Sequence, residues 1–369
     1  MSDDKIRVLV VDDSATMRKL LMQILQQDNE IEVVGTAMNG IFALNKLESL
    51  KPDIITLDIE MPQMDGLQFL EEKNKKNDTT PVIILSSLTT SGSSTTMRAL
   101  ELGAKDFILK PSGSISMDLA DISEEIIAKV KNWAKKGILK KQVKTDIFLS
   151  DFNQPGAVAQ ALPKATPRLE LLIKPSTIKF IAIGISTGGP EALRQILPRI
   201  TIDLPIVIVQ HMPEGFTKDF AQSLSKMMIH TGYRVEEAEN GEIIEPKKIY
   251  IAKGNYHLSI SKEHENFVLH LNQDPPVNNH RPSVDYLFSS LFKNIEQNCF
   301  IAIIMTGMGK DGAYYLKKLH DRGVFTIAQD EESSIVYGMP KVALDYGAVD
   351  IVLPLKEIPE FLNSKLSVK

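Results

Sequence analysis

Residues 180–193, FIAIGISTGGPEAL, carry the reading on which the fold turns. Phe180–Ile183 is a continuous apolar run, Gly184-Ile185-Ser186-Thr187-Gly188-Gly189 is a glycine-bounded turn, and a helix pattern follows. An unbroken apolar run, rather than an alternating one, marks a parallel strand covered on both faces. A strand that feeds a helix through such a turn is one βα unit of a parallel sheet. The turn suits two chemistries. Backbone N–H groups between strand and helix can cradle a phosphate, and Gly184-x-Ser186-x-Gly188 also matches the sharp turn that raises a serine as nucleophile.

The same alternation extends in both directions. Toward the C-terminus, Pro205–Gln210 and the run FIAIIM (300–305) are further apolar strands, each followed by a turn and a helix pattern, while 248–271 reads as a hairpin turning at SKEHEN. Toward the N-terminus, strands are expected at Arg7–Val11, Glu32–Ala37, Ile54–Leu57, Val82–Leu85 and Asp106–Leu109. The helix after the first of these opens at Ser14, a good N-cap, and places Met17, Leu20, Leu21, Ile24 and Leu25 on one face. Residues 137–178 break the period with four prolines and basic runs, which reads as a linker. The expected class is therefore α/β, with two doubly wound parallel-sheet domains. The boundaries are 5–135, a linker at 136–178, and 179–358 with a β-hairpin insertion. Ligand sites of such sheets lie beyond the carboxyl ends of the strands.

A chain of 369 residues is too long for one comfortable core, which agrees with two domains. A net charge of −5 argues against nucleic acid as partner. The start, MSDDKIRVLVVDDS, has no basic segment followed by a long apolar one, and no apolar run approaches the ~18 residues of a membrane span. Neither a signal peptide nor membrane insertion is expected, and the location is read as cytoplasmic. The single cysteine, Cys299, excludes an intrachain disulfide and, within CFIAIIM, reads as a buried thiol.

Polar groups gather where the strands end. In the first half these are Asp12 and Asp13, then Asp58, then Ser86 and Ser87, then Lys110. Sheet topology brings three carboxylates, a hydroxyl and an ammonium to one edge. Carboxylates so close repel unless a cation intervenes, which points to a hard, oxygen-liganded ion such as Mg2+. Asp58 can then attack a phosphoryl donor while the metal and Lys110 neutralise the incoming oxygens. In the second half, Ser186, His211 and Asp311 each follow a strand. A serine hydroxyl needs an imidazole to take its proton and a carboxylate to fix the tautomer. Backbone N–H groups near Thr187 and Gly307–Met308 are candidates for an oxyanion hole.

Each residue also has a plainer reading. Asp311 can cap the helix AYYLKKL, His211 can bond backbone at a strand end, and His280 is a rival base; the remaining histidines read as solvated surface. A dinucleotide site would want glycine where Ser186 stands and an acid where His211 stands. An α/β-hydrolase would order its triad Ser, Asp, His. Ser, His, Asp order places the serine as nucleophile on a doubly wound sheet outside that hydrolase family.

Residues 5–135 resemble the receiver domain of two-component response regulators through VLVVDDS, TLDIEMPQMDG, ILSS and DFILKP. The resemblance implies a flavodoxin-like fold and phosphorylation of Asp58 by a histidine kinase, with Mg2+ held by Asp12, Asp13 and Asp58. It further implies a phosphate-sensing hydroxyl at Ser86, a switching aromatic at Phe107, a phosphate contact at Lys110 and a cis Lys110–Pro111 bond. Residues 179–353 resemble the catalytic domain of the chemotaxis protein-glutamate methylesterases through GISTGG, QHMPEGFT, YIAKGNYHL, NNHRPSVD, TGMGKDG and QDEESSIVYGMP. That likeness implies Ser186 as nucleophile, His211 as base, Asp311 as orienting acid, Met308 as an oxyanion donor and His280 as site-lining, with no cofactor for the hydrolysis. The implied reactions are demethylation of glutamate methyl esters on methyl-accepting chemotaxis receptors and deamidation of certain receptor glutamines. The rivals are a receiver-controlled regulator without chemistry and an esterase acting on another protein or small-molecule ester.

Overall fold

The computed structural model describes residues 5–110, 118–149 and 175–366. The chain divides into two units, Met1–Ala161 and Leu162–Lys369. The first holds a five-stranded sheet of β1 (Ile6–Val11), β2 (Ile31–Ala37), β3 (Ile54–Asp58), β4 (Val82–Ser86) and β5 (Asp106–Leu109). Its order is β2-β1-β3-β4-β5, with every pairing parallel. The five expected strands agree with these to within a residue at each end. The helix Ala15–Leu25 starts where Ser14 accepts a hydrogen bond from the Met17 N–H, and Leu21, Ile24 and Leu25 are its buried face. Strand order reverses between β1 and β3, so the crevice beyond their carboxyl ends is the expected ligand site.

The helix that closes this unit runs Asp118–Leu149, continuing through the basic tract expected to begin a linker at 136. That tract contains no proline, the first being Pro155, so nothing in its backbone stops the helix. Residues 150–174 of the expected linker and the Lys110–Pro111 bond lie outside the described residues, and the linker's last stretch includes a short 3-10 helix, Pro175–Thr177.

The second unit holds a seven-stranded sheet and a separate hairpin. The sheet strands are β6 (Phe180–Ile185), β7 (Ile206–Gln210), β8 (Arg234–Glu237), β9 (Lys248–Ile251), β12 (Phe300–Ile304), β13 (Phe325–Gln329) and β14 (Ile351–Leu353). They run parallel in the order β14-β13-β12-β6-β7-β9-β8. The hairpin is β10 (His257–Glu263) with β11 (Asn266–Asn272), antiparallel and turning within SKEHEN as expected. The expectation that the hairpin begins at 248 needs correction. Lys248–Ile251 is buried throughout and pairs with β7 and β8 in the main sheet. The hairpin lies against the helix Val284–Asn294, whose Ser290 hydroxyl accepts the Ile260 N–H at 3.0 Å. Phe180 stacks on Phe300 in the core beneath, ring centroids 5.4 Å apart, and Cys299 is buried in the same core. From β6 the chain builds outward through β7, and it later returns to β12 on the other side. The order therefore reverses at β6, whose neighbours are β7 and β12. Among the described residues no helix is long and apolar enough to cross a membrane.

Candidate functional site

Ser186, His211 and Asp311 lie beyond the carboxyl ends of the three adjacent strands β6, β7 and β12. The glycines of the serine turn are required for different reasons. Gly188 adopts φ 77°, a left-handed conformation that L-residues avoid. At Gly184 a Cβ would come within 2.2 Å of Val284 Cγ1, so the strand and the helix Val284–Asn294 approach only because no side chain intervenes. The turn presents Ser186 Oγ to His211 Nδ1 at 3.1 Å, and His211 Nε2 meets Asp311 Oδ2 at 2.8 Å. A carboxylate only accepts, so Nε2 carries the hydrogen and Nδ1 offers its lone pair to the serine.

Asp311 is 1% exposed and is surrounded by donors. Oδ2 also accepts the Val284 N–H (2.6 Å), while Oδ1 accepts from Asn278 Nδ2 (2.7 Å), Ser283 Oγ (2.8 Å) and the Asp285 N–H (3.2 Å). Burial alone would push this carboxyl up, but His211, Asn278 and the Val284 N–H together hold it well below the usual carboxylate range. The plainer reading of Asp311 as cap of the following helix fails. That helix, Ala313–Asp321, begins at Gly312 without a side-chain cap, whereas Asp311 faces the start of Val284–Asn294. There the helix dipole favours its negative charge.

Of the two rival histidines, His211 is the one hydrogen-bonded to the Ser186 hydroxyl. The His280 ring stacks on that of His211 instead, with centroids 3.7 Å apart and planes 15° from parallel. The oxyanion candidates narrow. Gly307 N–H donates to Val336 O at 3.0 Å, and Ser186 N–H to Thr306 O at 2.9 Å. The N–H groups of Thr187 and Met308 have no acceptor among the described residues. One expectation about histidines also fails: His257 is fully buried, stacked on Tyr286 at 4.2 Å, with Nε2 bonded to Pro275 O at 3.0 Å.

In the first unit, one ligand oxygen from each of Asp12, Asp13 and Asp58 lies within 4.8 Å of the others. The Lys110 ammonium stands 2.9 Å from Asp12 Oδ2 and 2.8 Å from Asp58 Oδ2. Burial pushes the Asp58 carboxyl up, Lys110 opposes this, and the Asp12 charge adds to the rise. One ammonium among three carboxylates leaves an excess of negative charge, and Asp12 Oδ2 is buried with that ion pair as its support. An all-oxygen set with that deficit of positive charge fits Mg2+. Ser86 Oγ is engaged by the helix that follows its strand, accepting from Thr96 Oγ1 at 2.7 Å. Phe107 is already buried, at 7% exposure, beneath the Lys129 ammonium.

Residues 181–362 match the model of the CheB methylesterase family, and residues 8–120 match the response regulator receiver domain. The chain is 46% identical to the protein-glutamate methylesterase/protein-glutamine glutaminase of Treponema denticola, covering 98% of each. It is 44% identical to enzyme 1 of that name from Geobacter metallireducens, covering 98% of this chain and 96% of the relative. With the like-named protein of Salmonella typhi it shares 42% identity, over 98% and 97%. The chain belongs to the CheB methylesterase family. Its resemblance to receivers and methylesterases, carried in the sequence by short motifs, thus extends over nearly the whole length.

Several residues of this methylesterase-family site escape a reading of the sequence. Gln210 Nε2 donates to both Ser186 O (3.0 Å) and His211 O (3.1 Å), tying the two catalytic candidates together. Thr306 Oγ1 donates to Thr187 O at 2.9 Å and accepts the Ile335 and Val336 N–H groups. Ser283 and Asn278 bind Asp311. Gln210 adjoins His211 and Asn278 lies in NNHRPSVD, so position within a motif is the available signal, but their bonding partners are distant in sequence.

Proposed function

We propose that Ser186, His211 and Asp311 form the catalytic set of a phosphorylation-controlled protein-glutamate methylesterase and glutaminase in chemotaxis. The observation that carries this reading is the continuous hydrogen-bonded chain from Ser186 Oγ through His211 to a buried, charge-stabilised Asp311. A partner-binding module without chemistry would have no use for it.

Ser186 Oγ attacks the carbonyl carbon of a glutamyl methyl ester as His211 Nδ1 takes its proton. The new Oγ–C bond puts negative charge on the carbonyl oxygen, which the Thr187 and Met308 N–H groups receive. Asp311 stabilises the imidazolium. Collapse breaks the C–OCH3 bond, and His211 returns the proton so that methanol leaves. Water then attacks the glutamyl-Ser186 ester with His211 again as base, releasing glutamate and restoring the serine. A receptor glutamine follows the same course with ammonia as the leaving molecule. His280 lines the site beside the imidazole and takes no proton.

In the receiver unit, Asp58 accepts a phosphoryl group from a chemotaxis histidine kinase. Asp12, Asp13 and Asp58 would hold Mg2+, which supplies compensating positive charge to the phosphoryl oxygens. Lys110 sits beside Asp58 to contact the same oxygens. The Ser86 O–H donates to Ser87 O and to Gly92 O in the helix Thr90–Glu101, so donating it to a phosphate on Asp58 competes with those bonds, while the Thr96 hydroxyl can go on donating to Ser86 Oγ. The substrates are methyl-accepting receptors, and the setting is the cytoplasm. The experiment is methanol release from methylated receptor fragments with and without a small phosphodonor. A rise with donor that Asp58→Asn removes supports the reading; equal rates in all three cases refute the control.

A further inference from the structure

The stretch Asn278–Asp285 supplies more than His280. Asn278 has φ 52°, and its single amide nitrogen donates to Asp311 Oδ1 at 2.7 Å and to Asp285 Oδ2 at 2.8 Å. Both carboxylates are buried, Asp285 at 6% and Asp311 at 1% exposure. Asp285 is further held by backbone N–H groups, that of Tyr315 on Oδ1 at 3.0 Å and that of Gly312, and its own N–H reaches Asp311. Two carboxylates this close in a dry interior tend to share a proton unless a donor stands between them. Burial pushes the Asp285 carboxyl up and the Asp311 charge adds to this, so Asp285 is the member poised to take the proton. Among the described residues Asn278 is the one side chain that donates to both.

We propose that Asn278 is a positioning residue of the hydrolase, whose amide separates Asp285 from Asp311 and leaves Asp311 a full acceptor for His211. The proposal rests on the Ser186–His211–Asp311 reading. Without the amide, Asp285 takes up a proton from water and donates its O–H to Asp311. Negative charge then moves from the carboxylate toward that bond and away from Nε2–H of His211, and the imidazolium formed during attack is less stabilised.

Asn278→Gly removes the amide, and glycine adopts φ 52° without strain. The full chain carrying it is assayed for methanol release from methylated receptor fragments, with thermal unfolding as the check on folding. The expected result is a fall in kcat of about 10- to 100-fold, the range for losing a hydrogen bond to a charged acceptor, with little change in KM. The double variant Asn278→Gly/Asp285→Asn removes the competing carboxylate, and its kcat should return to within about threefold of the Asp285→Asn single variant. A loop-shaping role would show no such rescue. Asn278→Gly turning over at the wild-type rate, or a double variant no faster than Asn278→Gly, overturns the proposal. Ser186→Ala is run alongside: if it still hydrolyses ester, the catalytic reading itself falls, independently of what Asn278 does.

Discussion

Asp311→Asn keeps the shape of the side chain and exchanges one oxygen for an NH2, and the surrounding donors fix its consequences. Five of them converge on the carboxylate: His211 Nε2 and Val284 N on one oxygen, and Asn278 Nδ2, Ser283 Oγ and Asp285 N on the other. Whichever way the amide turns, its NH2 meets a backbone N–H that cannot reverse. One buried donor left unsatisfied, together with the loss of charge assistance in the remaining bonds, destabilises the second unit by about 2–4 kcal/mol. With NH2 toward His211, the ring must accept at Nε2 and carry its hydrogen on Nδ1, facing Ser186. An Nδ1–H cannot take the serine proton, and kcat falls on the order of 10³–10⁴-fold, as for wrong-tautomer substitutions in serine proteases. The pH dependence has a definite sign. Asp311 is held below its unfolded pKa, so its contribution to stability is fully present above about pH 4 and is lost as pH falls through the lower folded value. The stability gap between the two proteins therefore persists at neutral pH and closes only in acid. Urea unfolding and steady-state methanol release measure both effects. A variant within about tenfold of the wild-type kcat, or equally stable at pH 7, would refute the account of Asp311.

Three further outcomes are expected. His211→Ala should cost as much as removing Ser186, on the order of 10³-fold or more because the set acts as a unit, whereas His280→Ala should cost far less; the reverse ranking in kcat would transfer the base role to His280. Gly189→Ala would put a Cβ 1.9 Å from Gln210 Oε1, displacing the amide that holds the Ser186 and His211 carbonyls. Its loss of two buried hydrogen bonds should lower stability by about 1–3 kcal/mol and slow the esterase, which thermal unfolding and kinetics would show together. Mg2+ at a hundredfold excess over its Kd should stabilise the receiver unit by about 2.7 kcal/mol, and Asp12→Asn should abolish that shift in a thermal melt with and without EDTA.

The architecture is legible in the sequence because parallel strands buried on both faces leave unbroken apolar runs, as at Phe180–Ile185 and Val82–Ser86, each followed by a helix pattern. The proposed triad is legible because its members stand in polar turns just beyond such runs. Lys248–Ile251 reads as part of the hairpin because a four-residue strand ahead of a real hairpin carries no sign of which sheet it joins. The helix through Leu149 reads as linker because neighbouring prolines colour a tract that has none. Gln210, Asn278 and Thr306 act through hydrogen bonds to residues 24, 33 and 119 positions away, and a linear pattern does not encode such partners. His257 reads as surface for a related reason, since its burial depends on the Tyr286 ring that covers it.

Every step of the proposed chemistry depends on hydrolysis of glutamyl methyl esters through Ser186. Methanol released from a methylated receptor fragment, followed with the full chain and with Ser186→Ala at equal concentration, tests it most directly. The expected result is steady methanol release by the full chain and, from a Ser186→Ala protein with an unchanged melting transition, none above the uncatalysed rate. Release by the folded Ser186→Ala protein at a rate comparable to wild type would contradict it.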